Sequence, residues 1–124
     1  MKEPDLISLL STSFSRQLAR YRELSDLVQK TLGKLVLTRG DVSQVMDNFK
    51  HKQEILEAII EERGRVENDV ATWQQNKNNF PDSPAVSGLN ELLKETASTI
   101  SEFLEGEAQL KRYLEHFKKP GNQS

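Results

Sequence analysis

The sequence predicts an all-α protein, an elongated antiparallel bundle of three long helices in which a coiled-coil-like helical hairpin is followed by a third helix. Three observations carry this. Apolar residues recur in steps of three and four over three separate long stretches. The β-branched runs and closely spaced turn signals of an all-β chain are missing. The composition is also thin in core material: of 124 residues, 35% are hydrophobic and 29% charged, a balance suited to long helices with much surface for little core rather than to a compact enzyme. At this length a single domain spanning residues 1–124 is expected.

Helix 1 is expected over about residues 5–38. Its stripe is Ile7, Leu10, Phe14, Leu18, Tyr21, Leu24, Val28, Leu32 and Leu35, one face of an amphipathic helix. Pro4 suits a first turn, Asp5 suits the positive end of the dipole, and Arg39-Gly40 reads as a last-turn cation followed by a C′ glycine. Asp41 reads as the N-cap of helix 2, about 42–75, with Gln44 as the return partner of a capping box. So short a turn folds helix 2 back antiparallel on helix 1.

The expected seam of helix 2 is Val42, Val45, Phe49, Lys52, Leu56, Ile59, Arg63, Val66, Val70 and Trp73. Two of these positions are cationic. Lys52 and Arg63 either lay their stems along the seam and snorkel outward, the simpler reading, or pair with acids on a facing helix and fix its register. The stretch from Gln74 to Pro84 has amides, two prolines and little to bury, so a loop is expected at about 76–85 with Phe80 as its anchor. Helix 3 follows over about 86–118, with Leu89, Leu93, Thr96, Ile100, Phe103, Glu107, Leu110, Leu114 and Phe117 as its stripe, Lys118-Lys119 at its negative end and Pro120-Gly121 as its stop.

Seven basic and four acidic side chains in residues 1–40 give that segment +3, whereas residues 41–80 carry −3 and residues 81–124 carry −2. A basic helix between two acidic ones is complementary, although charge runs also occur as plainly solvated faces. The whole chain is nearly neutral at −2, which leaves no global field to collect nucleic acid or an anionic membrane. The basic residues of helix 1 lack interleaved aromatics for base stacking. The absence of cysteine excludes disulfides and thiolate metal sites and fits a reducing compartment. No secretory signal pattern and no membrane-spanning apolar run is found, so a soluble, cytoplasmic protein with no membrane span is expected.

Catalysis calls for convergent polar groups. His51 and His116 lie off the seams on different helices, the glycine of Arg39-Gly40-Asp41 stands without the spacing of a phosphate loop, and no nucleophile elbow surrounds the serines. No enzyme activity, cofactor or metal is expected. What remains is surface for protein. Apolar residues beyond the minimal stripes are Leu6, Leu9, Leu27, Val36 and Leu37 on helix 1, Met46, Ile55 and Ile60 on helix 2, and Leu92, Leu104 and Tyr113 on helix 3. They fit a wider buried face, a homodimer, or a groove for a partner helix.

In these features the chain resembles the FlgN-like flagellar type III export chaperones. The shared features are a long first helix, a turn holding Gly40-Asp41, and a second helix in which Lys52 is followed by Ile55, Leu56 and Ile59 and then by Glu61, Glu62 and Arg63. A polar loop and a third helix complete the likeness, which covers most of residues 5–117. The chain departs from the family's pattern at Glu107, where members tend to carry an Asn followed by paired leucines. The resemblance implies a cytoplasmic chaperone in flagellum biogenesis that binds the amphipathic C-terminal helices of hook–filament junction proteins, prevents premature assembly and delivers them to the type III export apparatus. The surface expected for such a client is helix 3, through Ile100, Phe103, Leu104, Leu110, Tyr113, Leu114 and Phe117; the same side chains would otherwise form the third leg of the core. The competing reading is a non-enzymatic helical adaptor or a homodimeric coiled-coil interaction protein.

Overall fold

A computed structural model describes residues 3–118, with side chains described for 5–116. Helix α1 spans Glu3–Leu37, a short 3-10 turn Val42–Val45 leads into α2 at Met46–Asn76, a second 3-10 turn covers Lys77–Asn79, and α3 spans Pro84–Lys118. At 1.5 Å per residue the 35 residues of α1 make a rod on the order of 50 Å long. The expected all-α architecture is what forms. Chain reversal at both connections leaves α1 and α3 parallel with α2 antiparallel to each.

The first connection is a Schellman motif, and it shifts one expectation. Gly40 N–H donates to the Leu35 carbonyl at 2.8 Å and Arg39 N–H to that of Val36 at 3.3 Å, the paired bonds of that motif. The left-handed C′ residue is therefore Arg39, with φ 56°, and Gly40 follows it at φ 86°. The hydrogen-bond register, not the glycine, decides which residue takes the C′ place. Asp41 caps as expected, its carboxylate accepting from Ser43 N–H at 3.1 Å and from the Ser43 hydroxyl at 2.6 Å. These bonds hold its carboxyl below the usual range, the Ser43 hydroxyl contributing most. The expected capping box is replaced by a turn bond: the Asp41 carboxylate takes the Ser43 N–H, and Gln44 donates its backbone N–H to the Asp41 carbonyl at 3.1 Å. So tight a cap winds residues 42–45 as 3-10 helix before α2 proper begins.

The second connection is shorter than expected. Helix α2 continues through the amide run to Asn76, and only residues 80–83 stand between Asn79 and α3. Ser83 explains the early start of α3: its hydroxyl accepts from Val86 N–H at 3.2 Å and its carbonyl from Ser87 N–H at 2.9 Å. Pro84 occupies the first helical position, where its missing N–H costs nothing. Phe80 is the anchor, its ring 5.2 Å from that of Trp73. Pro120-Gly121 lie outside the described residues, as do the side chains of Phe117 and Lys118.

Helix α1 is the spine. It packs against both other helices, whereas no α2 Cα lies within 8 Å of an α3 Cα. Helices in ridge-and-groove contact have axes about 8–10 Å apart and Cα atoms about 2.3 Å from each axis, so α2 and α3 stand wider apart than packed helices do. A buried cluster near the α1–α2 turn joins Tyr21, Leu24, Val28 and Leu35 to Val45, Ile55, Ile59, Phe103 and Leu110. A second near the α2–α3 loop joins Leu6, Ile7 and Leu10 to Val66, Trp73, Val86 and Leu89. Full burial of each such side chain contributes about 1.5–3 kcal/mol. Gly106 lets α3 approach α1, because a Cβ there would come within 3.1 Å of Val28 Cγ1.

The buried face of α2 keeps Ile59, Val66 and Trp73 of the expected stripe and departs from it at Ile55 and Glu62. Ile55, Ile59, Glu62, Val66 and Trp73 are the buried positions, and Glu62 takes the place assigned to Arg63, which is exposed. The cause is the partner: α2 packs its main face on α1 alone, so the members of the expected stripe that turn away from α1 face the space beside α3. Lys52 does not snorkel. Its Nζ donates to both carboxylate oxygens of Glu107 on α3, at 3.0 and 3.1 Å, and lies 5.5 Å from the Phe49 ring centroid.

Candidate functional site: the groove between α2 and α3

Because α2 and α3 are held apart, a groove runs between them with α1 as its floor. Its middle section encloses about 430 Å³ over Phe14, Gln17 and Tyr21, with Ile60, Gly64 and Val70 on the α2 wall and Thr96 and Ile100 on the α3 wall. Phe14 and Val70 also line a second section of about 300 Å³ that reaches Trp73, Leu89 and Leu93 near the loop. The two sections meet at Phe14 and Val70 and follow one another from the middle of the rod to its loop end.

Side-chain size explains why the channel stays open. Gly64 has no side chain, and a Cβ built there would meet nothing within 4 Å. A glycine in mid-helix costs about 1 kcal/mol relative to alanine, and no packing within the chain offsets that. Across from it Thr96 turns its hydroxyl back to the Leu92 carbonyl at 2.7 Å, so it does not reach toward α2. Toward the turn end the gap is spanned by the Lys52–Glu107 pair.

The floor is fixed by a polar layer between the two apolar clusters. Glu62 is only 3% exposed; it accepts from Arg16 Nε at 2.8 Å, from the Ser13 hydroxyl at 3.0 Å and from Arg65 at 3.3 Å. Gln17 donates to the Ser13 hydroxyl at 3.2 Å. The Arg16 guanidinium, more than burial opposes, holds the Glu62 carboxyl below its ordinary value, and Glu62 in turn raises Arg16. Arg22–Glu95 at 3.2 Å ties α1 to α3 at the surface. The basic helix therefore does lie between the acidic ones and pairs with each. His51 stands beside Glu23 at 3.4 Å and Glu54 at 3.9 Å.

The residues expected to meet a client divide into two sets. Phe103 and Leu110 are buried in the turn-end cluster, with Tyr113 and Leu114 half-buried against it; Tyr113 donates its hydroxyl to the Leu35 carbonyl at 3.2 Å. Ile100 lines the groove, and Leu104, one turn beyond on the same helix, is 58% exposed. Phe117 lies outside the described side chains. Among the positions shared with the resembled family, Ile55 and Ile59 are core, Leu56 is half-buried against it, Lys52 bridges the helices, and Gly40 and Asp41 form the turn. No family model, no curated protein and no solved structure matches the chain.

Sequence reasoning missed Glu62, Arg16, Ser13, Gln17 and Gly64. Ser13, Gln17 and Thr31 stand at helical spacing beside the apolar stripe of α1, and all three are buried; that second, polar stripe was the available signal. The spare apolar residues also divide. Leu6 and Ile55 complete the core, whereas Val36, Leu37, Met46, Ile60 and Leu104 remain exposed.

Proposed function

We propose that this protein is a non-catalytic, helix-binding chaperone of the flagellar export kind its sequence resembles, and that its client helix lies in the α2–α3 groove. The observation that carries the reading is the groove itself: three helices leave the fourth position of a bundle unfilled above Phe14, Gln17 and Tyr21. An amphipathic helix would bury its stripe there against Ile60, Val70, Ile100 and Leu93, and the bare backbone at Gly64 would let it approach closely. The client of the reading is the C-terminal amphipathic helix of a hook–filament junction protein, shielded in the cytoplasm before assembly. Shape and a mainly apolar lining, with Arg63 and Glu67 as its charged members, support an amphipathic helix as ligand; the flagellar client rests on the sequence resemblance.

The test is a titration of the full chain with a synthetic peptide of such a C-terminal helix. One peptide per groove is expected. Gly64→Leu should abolish binding while stabilising the fold by about 1 kcal/mol, since leucine is the better helix former and the added side chain enters open space. Retained binding by that variant would exclude the groove. A tight homodimer indifferent to such peptides would instead support the adaptor reading.

A further inference from the structure

Four of the six large exposed hydrophobic residues among those described, Val36, Leu37, Val42 and Met46, lie within eleven residues of one another around the α1–α2 turn, and Leu37 is 85% exposed. The groove does not use them. The turn that presents them is ordered by the Schellman bonds and the Asp41 cap, so the tip is a built surface rather than a frayed end.

Charge is segregated along the rod. The turn end, residues 30–50 with residues 108–116 of α3 beside them, carries six basic and three acidic side chains, a net +3. Residues 5–29 and 51–107 together carry −7, a contrast that the whole-chain value of −2 conceals. The cations of the acidic body are mostly paired: Arg16, Arg22, Lys52, Arg65 and Lys94 all have carboxylate partners. Lys30, Lys34, Arg39 and Lys50 have none among the described residues. Last-turn cations offset helix dipoles, which accounts for Lys34 but not for Lys50 near the start of α2, and not for the bare aliphatic side chains between them.

We infer that the α1–α2 turn is a docking tip for an anionic lipid surface, with the aliphatic side chains entering the headgroup boundary and the unpaired cations meeting the lipid phosphates. The occupant follows from shape and charge together. A convex tip suits a deformable surface, and a collar of lysine and arginine around aliphatic residues is how peripheral proteins hold anionic membranes. A second copy is disfavoured because tip would meet tip with like charge. The acidic body is repelled by the same surface, so the rod stands on its turn end and leaves the groove facing water. Asp41 and Asp47 oppose the attraction, which the net +3 already includes.

Flotation of the full chain with vesicles of phosphatidylcholine alone, and of phosphatidylcholine and phosphatidylglycerol in a three-to-one ratio, tests this. Binding is expected only to the anionic vesicles and should weaken with added salt. Lys34→Glu should lower partition about thirtyfold, two charge units at the interaction typical of a residue near an anionic surface. Leu37→Asp should lower it further with helix content unchanged, whereas Gly64→Leu should leave it intact, which separates this inference from the groove reading. No binding to anionic vesicles at low salt, or equal binding by wild type and Leu37→Asp, overturns the inference and leaves the tip to a protein partner with an acidic-rimmed pocket.

Discussion

The two ends of the rod are built from the same three helices and do different things with them. At the turn end, Phe103, Leu110, Ile59 and Val45 meet α1 in one cluster, Gly106 brings α3 close, and Lys52–Glu107 spans α2 and α3. At the loop end, Leu10, Val66, Trp73 and Leu89 form a second cluster, yet α2 and α3 remain separated by a channel above Phe14. Seven connecting residues there, three of them in the Lys77–Asn79 turn, join α2 to α3 without drawing their backbones into contact. Pairing of helices is set by which side chains can reach across, and Gly64 and Thr96 cannot.

The sharpest way to break this comparison is to remove matched core leucines. Leu35 at the turn end is fully buried and Leu89 at the loop end is 1% exposed. Truncation to alanine costs about 2–5 kcal/mol depending on how far the surroundings relax, so Leu35→Ala is expected near the top of that range and Leu89→Ala near the bottom, where side chains can shift into the channel. Urea unfolding measures both. Equal losses would mean the channel provides no slack.

A smaller effect is expected in the polar layer between the clusters. Arg16→Met leaves the Glu62 carboxylate buried with less compensation and should lower the unfolding midpoint clearly. Glu62→Met leaves a solvated arginine and one buried serine hydroxyl, and should cost less, as apolar replacements of buried ion pairs often do. The pH dependence follows from the same pair. The Glu62 carboxyl is held below its ordinary value of 4.5, so its contribution is complete above that value and is lost as pH falls through the folded-state pKa. Acid unfolding curves should therefore lose part of their steepness in Glu62→Gln, and an unchanged acid limb would remove Glu62 from the account.

The smallest effect is expected in the first connection. Arg39 holds a left-handed conformation that costs an L-residue about 1–2 kcal/mol. Arg39→Gly should therefore stabilise the protein by up to about 1 kcal/mol, the freer unfolded chain offsetting part of the relief. Thermal unfolding reads this out, and the groove should be unaffected.

Much of the fold was legible because helix periodicity is a local property. The stripe of α1, the Asp41 cap and the anchor at Phe80 all follow from neighbours in the chain. The phase of α2 was not legible: Glu62 and Arg63 are adjacent, and which of them faces inward depends on where α1 lies. The client surface expected on α3 was mixed for the same reason, because Phe103 and Leu104 are neighbours on a helix with one side against α1 and the other against solvent.

The sequence by itself determined three amphipathic helices, their order, the Asp41 cap and the complementary charge of α1, since each depends on side-chain spacing along one chain. Only the tertiary structure decided that the backbones of α2 and α3 stand apart and are bridged by Lys52–Glu107, that the Glu62 carboxylate is buried between α2 and α1, and that spare apolar residues collect at one pole. Those outcomes depend on the widths of facing side chains and the distance between helix axes, which no single helix encodes.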